Sequence, residues 1–248
     1  MNLIEAAKNR NYGTLRKLEN YFREYDFCFR DLRDKNVRIL EIGVQGGGSL
    51  SMWREYFPHA EVIVGVDIDE TCKSLERVKS PIFIGDQEDK KFLTMVNAKT
   101  GPFDIIIDDG GHSMSQQITT FNTLFPLLKA KGVYVIEDLH TSYWPQFGGK
   151  FGKSETAVGL LKQMIDNMHS WAIKHPRASM LHATKERSIR VLKRFGFDIS
   201  TYLWMRRSYK EKPEHKDVLE ENIRSIYVAD SICFIFKGKT DHHNIVEL

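Results

Sequence analysis

Two apolar stretches of the sequence end abruptly in acidic side chains. Residues 103–112 read F-D-I-I-I-D-D-G-G-H, so Asp108 and Asp109 directly follow a run of isoleucines. Residues 132–138 read G-V-Y-V-I-E-D and end in Glu137 and Asp138. Carboxylates gathered at neighbouring strand ends repel one another, so a cation or a proton must offset them. These acids could simply cap helices or face solvent, but the repeated ending favours a hard divalent cation, which needs several carboxylate oxygens.

A histidine near the first acid pair adds a second chemistry. His112 follows Asp109 by three residues, so both side chains can reach one site. An unperturbed histidine titrates at about pH 6.5, which suits removal of a proton from a hydroxyl. A histidine after a strand is also a common polar loop residue, but the neighbouring acids favour a base. Neighbours on a strand point oppositely, so we expect Asp108 and Asp109 to contact different ligands, with Asp108 on the cofactor side.

The strands that carry these acids are predicted to form a parallel sheet. The isoleucine run shows no polar alternation, which is typical of a strand buried on both faces. Further strands are predicted at residues 37–43, 61–69 and 81–85. In open α/β sheets, ligands bind at the carboxyl ends of the strands, where the loops leave a crevice. The two acid pairs are therefore predicted to lie in one crevice.

A glycine-rich turn follows the first strand. Residues 43–49 read G-V-Q-G-G-G-S and precede an amphipathic stretch at 50–56, an arrangement that lets a ligand approach the backbone. Gln45 stands where a dinucleotide fingerprint needs glycine, and Glu41 inside the strand would repel a pyrophosphate. A cationic ligand would tolerate this glutamate.

Acids also end the next two strands. Asp67 lies about twenty residues after the glycine turn, where a carboxylate can accept hydrogen bonds from both ribose hydroxyls. Asp69 is assigned to a turn or a helix cap. Asp86 ends the third strand, and its side chain or the backbone from Gln87 onward is predicted to meet a base, with an N-cap as the alternative.

Other elements are predicted around this sheet. Apolar residues recur at helical spacing from Thr14, a candidate N-cap, to Phe29, and again at 113–128 and 154–174. Residues 140–152 are rich in aromatics and glycine, and we interpret them as a lid in which Tyr143 and Trp144 contact the substrate, with ordinary packing as the alternative. A strand is expected at 199–205, an exposed loop at 206–216 and a β-hairpin at 223–236.

The composition is that of an ordinary globular protein, with 42% hydrophobic and 28% charged residues among 248. A formal charge of +3 without a dense basic run argues against a nucleic-acid partner. Cys28, Cys72 and Cys233 suit neither a disulfide framework nor a zinc site, so we expect reduced thiols.

No signal peptide or membrane span is recognisable, and a cytoplasmic location without membrane partners is expected. We predict a single domain over 1–248, with an N-terminal helical segment at 1–35 and substrate-side insertions around 139–153 and 175–220.

These features together resemble the class I S-adenosylmethionine-dependent methyltransferases, and within them the macrocin and mycinamicin type of sugar O-methyltransferase. The motifs fall in order over most of residues 11–153 and in the final hairpin: N-Y-G-T, E-I-G-V-Q-G-G-G-S-L-S-M-W-R-E-Y-F-P, I-I-D-D-G-G-H, L-F-P-L-L, V-Y-V-I-E-D-L-H-T-S-Y-W-P and D-S-I-C-F-I. Residues 153–216 match no part of this pattern, so the resemblance leaves the acceptor open.

The resemblance implies a Rossmann-like α/β fold, with a seven-stranded, mostly parallel sheet, one antiparallel strand and helices on both faces. It also implies S-adenosylmethionine and Mg²⁺ as cofactors, with Asp109, Glu137 and Asp138 as metal ligands and His112 as base beside a catalytic Asp109. The residues assigned to the cofactor site are Tyr12, Thr14, Glu41, Gly43, Ser49, Asp67, Asp86, Gln87 and Asp108.

The acceptor is expected to be a sugar hydroxyl, either of a nucleotide-activated sugar for a surface polysaccharide or of a glycosylated natural product. We further expect a homo-oligomer that binds this small molecule. Two alternatives remain: an NAD(P)-dependent Rossmann-fold oxidoreductase, which Glu41 and Gln45 disfavour, and a non-catalytic methyltransferase-like scaffold, which the intact acid cluster disfavours.

Overall fold

The computed structural model describes residues 3–8, 13–169 and 222–238. Strands within these residues are β1 Arg38–Ile42, β2 Val62–Asp67, β3 Ile82–Ile84, β4 Ile105–Asp108, β5 Val133–Ile136, β6 Ile223–Ala229 and β7 Ile232–Lys237. They form one seven-stranded sheet in the order β3-β2-β1-β4-β5-β7-β6. The predicted fold class is therefore confirmed, including the closing hairpin.

The strand directions create a crevice at one edge of the sheet. Strands β1 to β5 pair in parallel, whereas β7 runs antiparallel to both β5 and β6. The chain order reverses between β1 and β4, which is the switch point where open α/β sheets bind ligands. Ile42 pairs with Asp108, and Asp108 pairs with Ile136, so the carboxyl ends of β1, β4 and β5 lie level.

Helices cover both faces of the sheet. The helices are α1 Leu3–Lys8, α2 Glu19–Phe29, α3 Gly48–Tyr56, α4 Lys90–Thr100, α5 Met114–Leu124 and α6 Ala157–His169. On one face, Phe29 of α2 contacts Trp53 of α3 and Phe234 of β7. On the other, Phe121 of α5 packs edge-on against Tyr134 of β5. The strands are thus buried on both sides, as their apolar runs predicted.

One helix prediction was wrong, and one helix was not predicted. Helix α2 begins at Glu19 and not at Thr14, because the chain is extended at Leu18 and residues 14–18 cross the sheet edge without helical structure. Helix α4 was not predicted at all. It buries only Leu93 and Val96, which is too short an apolar pattern to be recognised, and Asp89 caps it by accepting from the amides of Lys91 and Phe92.

Contacts divide the chain into two units, residues 1–162 with 222–248, and residues 163–221. The only described part of the second unit is the end of α6, and the strand and loop predicted at 199–205 and 206–216 lie outside the described residues. The single-domain assignment stays a prediction. Cys28, Cys72 and Cys233 are free thiols, as expected. Among the helices of the described ranges, none has the length and apolar character needed to span a membrane.

Candidate active site

A cavity of about 900 Å³ opens at the carboxyl edge of the sheet. Its walls come from the ends of β1 to β5 and from the segment before α2. Of the predicted site residues, those that line it are Thr14, Gly43, Ser49, Asp67, Asp86, Gln87, Asp109, His112, Glu137 and Asp138. Glu41 and Asp108 lie behind the lining and are fully buried. Tyr12 lies outside the described residues.

Asp67 is bound to the glycine-rich turn. Its Oδ2 accepts hydrogen bonds from the amides of Val44 at 2.8 Å and Gln45 at 3.0 Å, and its Oδ1 accepts from Asp69 at 2.9 Å. Partial burial alone would raise the pKa of Asp67, but these amides hold it below the ordinary value. The ionised carboxylate is therefore fixed at the cavity wall, and its contact with a ribose stays a prediction.

Gly43 allows the turns after β1 and β4 to touch. Its φ of +92° lies in the left-handed region, and a Cβ added there would come within 2.0 Å of the backbone oxygen of Asp109. The neighbouring backbones are joined by a bond from the Asp109 amide to the Ile42 carbonyl at 3.0 Å. A side chain at position 43 would therefore move Asp109.

Lys17 places its ammonium group among the acids that end β1, β4 and β5. Its Nζ lies 2.5 Å from Oε1 of Glu137, 2.7 Å from Oδ2 of Asp109 and 3.6 Å from Oε1 of Glu41, and the side chain is 1% exposed. Burial alone would lower the pKa of Lys17, but the charges of Glu137, Asp109 and Glu41 hold it well above its ordinary value. The ammonium is therefore charged.

The acids around Lys17 carry more negative charge than one lysine offsets. Burial and the charge of Asp109 raise the pKa of Glu137 above its ordinary value, and Lys17 opposes both. The raised pKa of Glu137 favours its neutral form, whereas the raised pKa of Lys17 favours the charged ammonium. The 2.5 Å distance between Nζ of Lys17 and Oε1 of Glu137 favours the charged pair. Burial also raises the pKa of Glu41. An additional cation would stabilise this cluster in its ionised form.

Two tyrosines of α2 hold the acids after β5. The hydroxyl of Tyr25 donates to Oε1 of Glu137. The hydroxyl of Tyr21 donates to Oδ1 of Asp138 at 2.8 Å and accepts from the Asp138 amide at 3.1 Å. Burial raises the pKa of both phenols, so they stay protonated donors. Their four-residue spacing predicted only core packing, and nothing in the sequence distinguishes Lys17 from other lysines, so sequence reasoning missed all three residues.

His112 lies beside two of the predicted metal ligands. Its Nε2 is 3.4 Å from Oδ2 of Asp138 and 4.0 Å from Oδ1 of Asp109. One ligand atom from each of these three residues lies within 4.8 Å of the others, which is close enough to hold one metal ion. His112 and Asp138 both have positive φ, +57° and +56°. Such strained backbones are common at functional sites.

Asp108 supports the site from behind and does not reach the cavity. Its Oδ1 accepts from Nε2 of Gln87 at 3.2 Å, and its Oδ2 accepts from the hydroxyl of Tyr134 at 3.3 Å. Burial raises its pKa to about 7. Gln87 in turn accepts from the Gly111 amide at 2.8 Å, in the turn that carries His112. The neighbours do point oppositely, but Asp108 points into the core and does not line the cavity, and its assignment to the cofactor stays a prediction.

Glu41 and Ser49 bind each other. Ser49 donates to Oε2 of Glu41 at 2.8 Å, and Nε1 of Trp53 donates to Oε1 at 3.0 Å. Glu41 is therefore held behind the cavity wall and does not line the cavity. Asp86 does line the cavity, and its Oδ1 accepts from the amide of Glu88 at 2.8 Å in the turn before α4. The alternative that Asp86 is an N-cap is wrong, because Asp89 caps that helix.

The predicted lid contains short 3₁₀ turns at Leu139–Tyr143 and Pro145–Phe147. Tyr143 and Trp144 are 45% and 44% exposed, and neither lines the cavity. His140 does line it, and its ring lies 4.6 Å from that of Trp144 between centroids. An aromatic surface is therefore exposed next to the cavity, and its role as a lid stays a prediction.

The sequence of the chain is similar to those of known methyltransferases. No family model matches the chain. It is 44% identical over 231 residues to mycinamicin VI 2''-O-methyltransferase of Micromonospora griseorubida, which covers 89% of this chain and 49% of that protein. It is 45% identical over 154 residues to demethylmacrocin O-methyltransferase of Streptomyces fradiae, which covers 58% and 38%. The chain thus spans about half the length, or less, of these curated relatives.

A solved structure agrees with these relatives. The MycE methyltransferase of the mycinamycin biosynthetic pathway, in complex with Mg, SAH and mycinamycin VI, superimposes with a TM-score of 0.75 at 32% identity. The match covers 99% of this chain and 56% of that one.

The sheet order and the cleft at its switch point are those of a Rossmann-like methyltransferase fold. Within this class, the chain is homologous to the macrocin and mycinamicin type of sugar O-methyltransferase, as the sequence motifs indicated.

Proposed function

We propose that this chain is an S-adenosylmethionine-dependent, divalent-metal-dependent O-methyltransferase that acts on a sugar hydroxyl of a glycosylated small molecule. The observation that carries the proposal is that Asp67 and the glycine turn line the same cavity as the cluster of Asp109, His112 and Asp138. Its homologues are named as methyltransferases of glycosylated natural products.

The cofactor half of the cavity suits a nucleoside that carries a sulfonium. The ionised Asp67 is available to a ribose, and Gly43 leaves the backbone open to close approach. The buried charges of Glu41, Asp109 and Glu137 produce a negative field, which favours a cationic methyl donor over a pyrophosphate. Tyr12, Thr14, Asp86 and Gln87 complete the proposed set of contacts.

The residues of the acid cluster also fit a divalent cation. Lys17 shows that a cation is stabilised there, since its ammonium lies 2.7 Å from Asp109 and 2.5 Å from Glu137. Asp109, Glu137 and Asp138 would hold Mg²⁺ through carboxylate oxygens, the ligands that this ion prefers. When bound, the ion would lower the pKa of the sugar hydroxyl and orient it.

His112 is proposed as the base. Its Nε2 lies 3.4 Å from Oδ2 of Asp138 and 4.0 Å from Oδ1 of Asp109, so the proton of the attacking hydroxyl has an acceptor inside the cluster. The positioned acceptor oxygen then attacks the methyl carbon in line with the departing sulfur. Tyr143 and Trp144, exposed at the adjacent loop, are proposed to contact the sugar ring.

Incubation of the protein with labelled S-adenosylmethionine and a panel of acceptors tests this proposal. We expect label transfer to glycosides of natural-product type, and loss of transfer in excess EDTA. Transfer to nucleotide-activated sugars and not to glycosides would instead support the other acceptor predicted from the sequence, a precursor of a surface polysaccharide. Undiminished transfer in EDTA would contradict the metal role, and tight NAD(P) binding without binding of S-adenosylhomocysteine would favour the oxidoreductase, against which the homologues argue.

A further inference from the structure

Lys17 binds only one oxygen of each of two predicted metal ligands. Its Nζ contacts Oδ2 of Asp109 and Oε1 of Glu137. Oδ1 of Asp109 is instead the oxygen near Nε2 of His112, on the side of Asp138. The hydroxyl of Tyr25 also donates to Oε1 of Glu137, so neither contact uses Oε2. Each of the two carboxylates is thus held through one oxygen, Oδ2 of Asp109 and Oε1 of Glu137.

The lysine itself is held in place by its surroundings. Its Nζ lies 5.9 Å from the ring centroids of both Tyr25 and Trp53, and its side chain is 1% exposed. The segment that carries it packs tightly against the glycine turn, since a Cβ on Gly48 would lie 2.6 Å from the carbonyl oxygen of Thr14. The position of the ammonium is therefore set by packing as well as by charge.

We infer that Lys17 is a positioning residue for the metal ligands: its ammonium fixes Oδ2 of Asp109 and Oε1 of Glu137, which leaves Oδ1 of Asp109, on the side of His112, to the divalent cation. This inference rests on the proposed function. Two buried carboxylates that lack a shared partner would repel and turn apart, and they would then be poorer ligands. Partners behind metal ligands commonly act in this way. Repulsion between the Lys17 ammonium and the divalent cation would weaken metal binding. The experiment measures whether this repulsion or the positioning of the ligands has the larger effect.

Titration of Mn²⁺ into the protein, followed by electron paramagnetic resonance, measures the site without requiring turnover. Lys17→Met is expected to weaken Mn²⁺ binding by about 10- to 100-fold. The affinity for S-adenosylhomocysteine, measured by calorimetry, is expected to stay within about twofold. A purely structural role would lower both affinities together. The matched control, Lys35→Met, removes an exposed lysine and should change neither affinity.

Lys17→Arg keeps the buried charge and provides the test if the methionine variant does not fold. Its planar fork cannot hold the same two oxygens at the same spacing, so Mn²⁺ affinity should fall by about tenfold. Wild-type affinity in the folded arginine variant, or equal or tighter binding in the methionine variant, would overturn the inference. Absence of Mn²⁺ binding in the wild-type protein would instead refute the proposed function, and the inference with it.

Discussion

Asp109 links the two halves of the candidate site. Its Oδ2 contacts Lys17, its Oδ1 lies on the side of His112, and its backbone oxygen packs against Gly43 of the cofactor turn. A change at this residue therefore affects the metal cluster and the cofactor turn together. The roles of its neighbours can be separated more cleanly by substitution.

His112 could act as a base or as a metal ligand, and one variant distinguishes the two roles. If it is the base, His112→Ala lowers kcat by about 10²- to 10⁴-fold and leaves the Mg²⁺ affinity within about twofold. Steady-state kinetics at saturating cofactor and calorimetric Mg²⁺ titration measure these two quantities. The exposed His59→Ala is the control.

A tenfold or larger loss of Mg²⁺ affinity in His112→Ala would make the histidine a ligand. An unchanged kcat would place the base elsewhere.

Asp67 predicts a specific pH dependence of stability. Its folded pKa is lower than the ordinary 3.8, so the ionised form stabilises the fold above about pH 4, and this contribution is lost as the pH falls through the folded pKa. Asparagine offers only one acceptor oxygen and does not titrate. We expect Asp67→Asn to lower Tm near neutral pH, and the difference from wild type to narrow at acid pH. A difference in Tm that is constant down to about pH 3 would contradict this account.

At the scale of elements, most of the fold could be predicted because each buried strand is a short apolar run that ends at a turn. The acids of the site could also be predicted, because they follow these strands directly and the carboxyl ends of parallel strands lie at one edge of the sheet. The start of α2 was wrong because apolar spacing continues through Leu15 and Leu18 into a segment that is extended. Lys17 could not be found, because its partners come from strands 24 to 120 residues away in the sequence.

The turn after β1 and the turn after β4 are predicted to act as one unit. Gly43→Ala would introduce both a strained φ and a clash with Asp109, and should destabilise the fold by more than about 1 kcal/mol and weaken binding of S-adenosylhomocysteine. Gly152→Ala is the matched control, because its φ is also positive, +75°, but its Cβ would meet nothing within 4 Å. Urea unfolding and calorimetry measure the two effects. Equal losses in both variants would show that backbone strain, and not the contact with Asp109, is responsible.

At the scale of the whole molecule, the charge of the site is unlike that of the chain. The protein carries a formal charge of +3, yet the carboxylates of Glu41, Asp109 and Glu137 surround the buried ammonium of Lys17, and Asp138 lies beside His112. A divalent cation and a sulfonium would together neutralise the negative charge that Lys17 does not offset. This proposed balance would keep the acids at the sheet edge ionised, and it would tie the metal and the cofactor to the same cluster.

Calorimetric titration of Mg²⁺ into the protein saturated with S-adenosylhomocysteine tests this central claim most directly. We predict one binding event per chain in the wild-type protein and none in Asp109→Asn, whereas the exposed Asp34→Asn should bind like wild type. Absence of Mg²⁺ binding to the wild-type protein, or the same affinity in Asp109→Asn, would contradict the account.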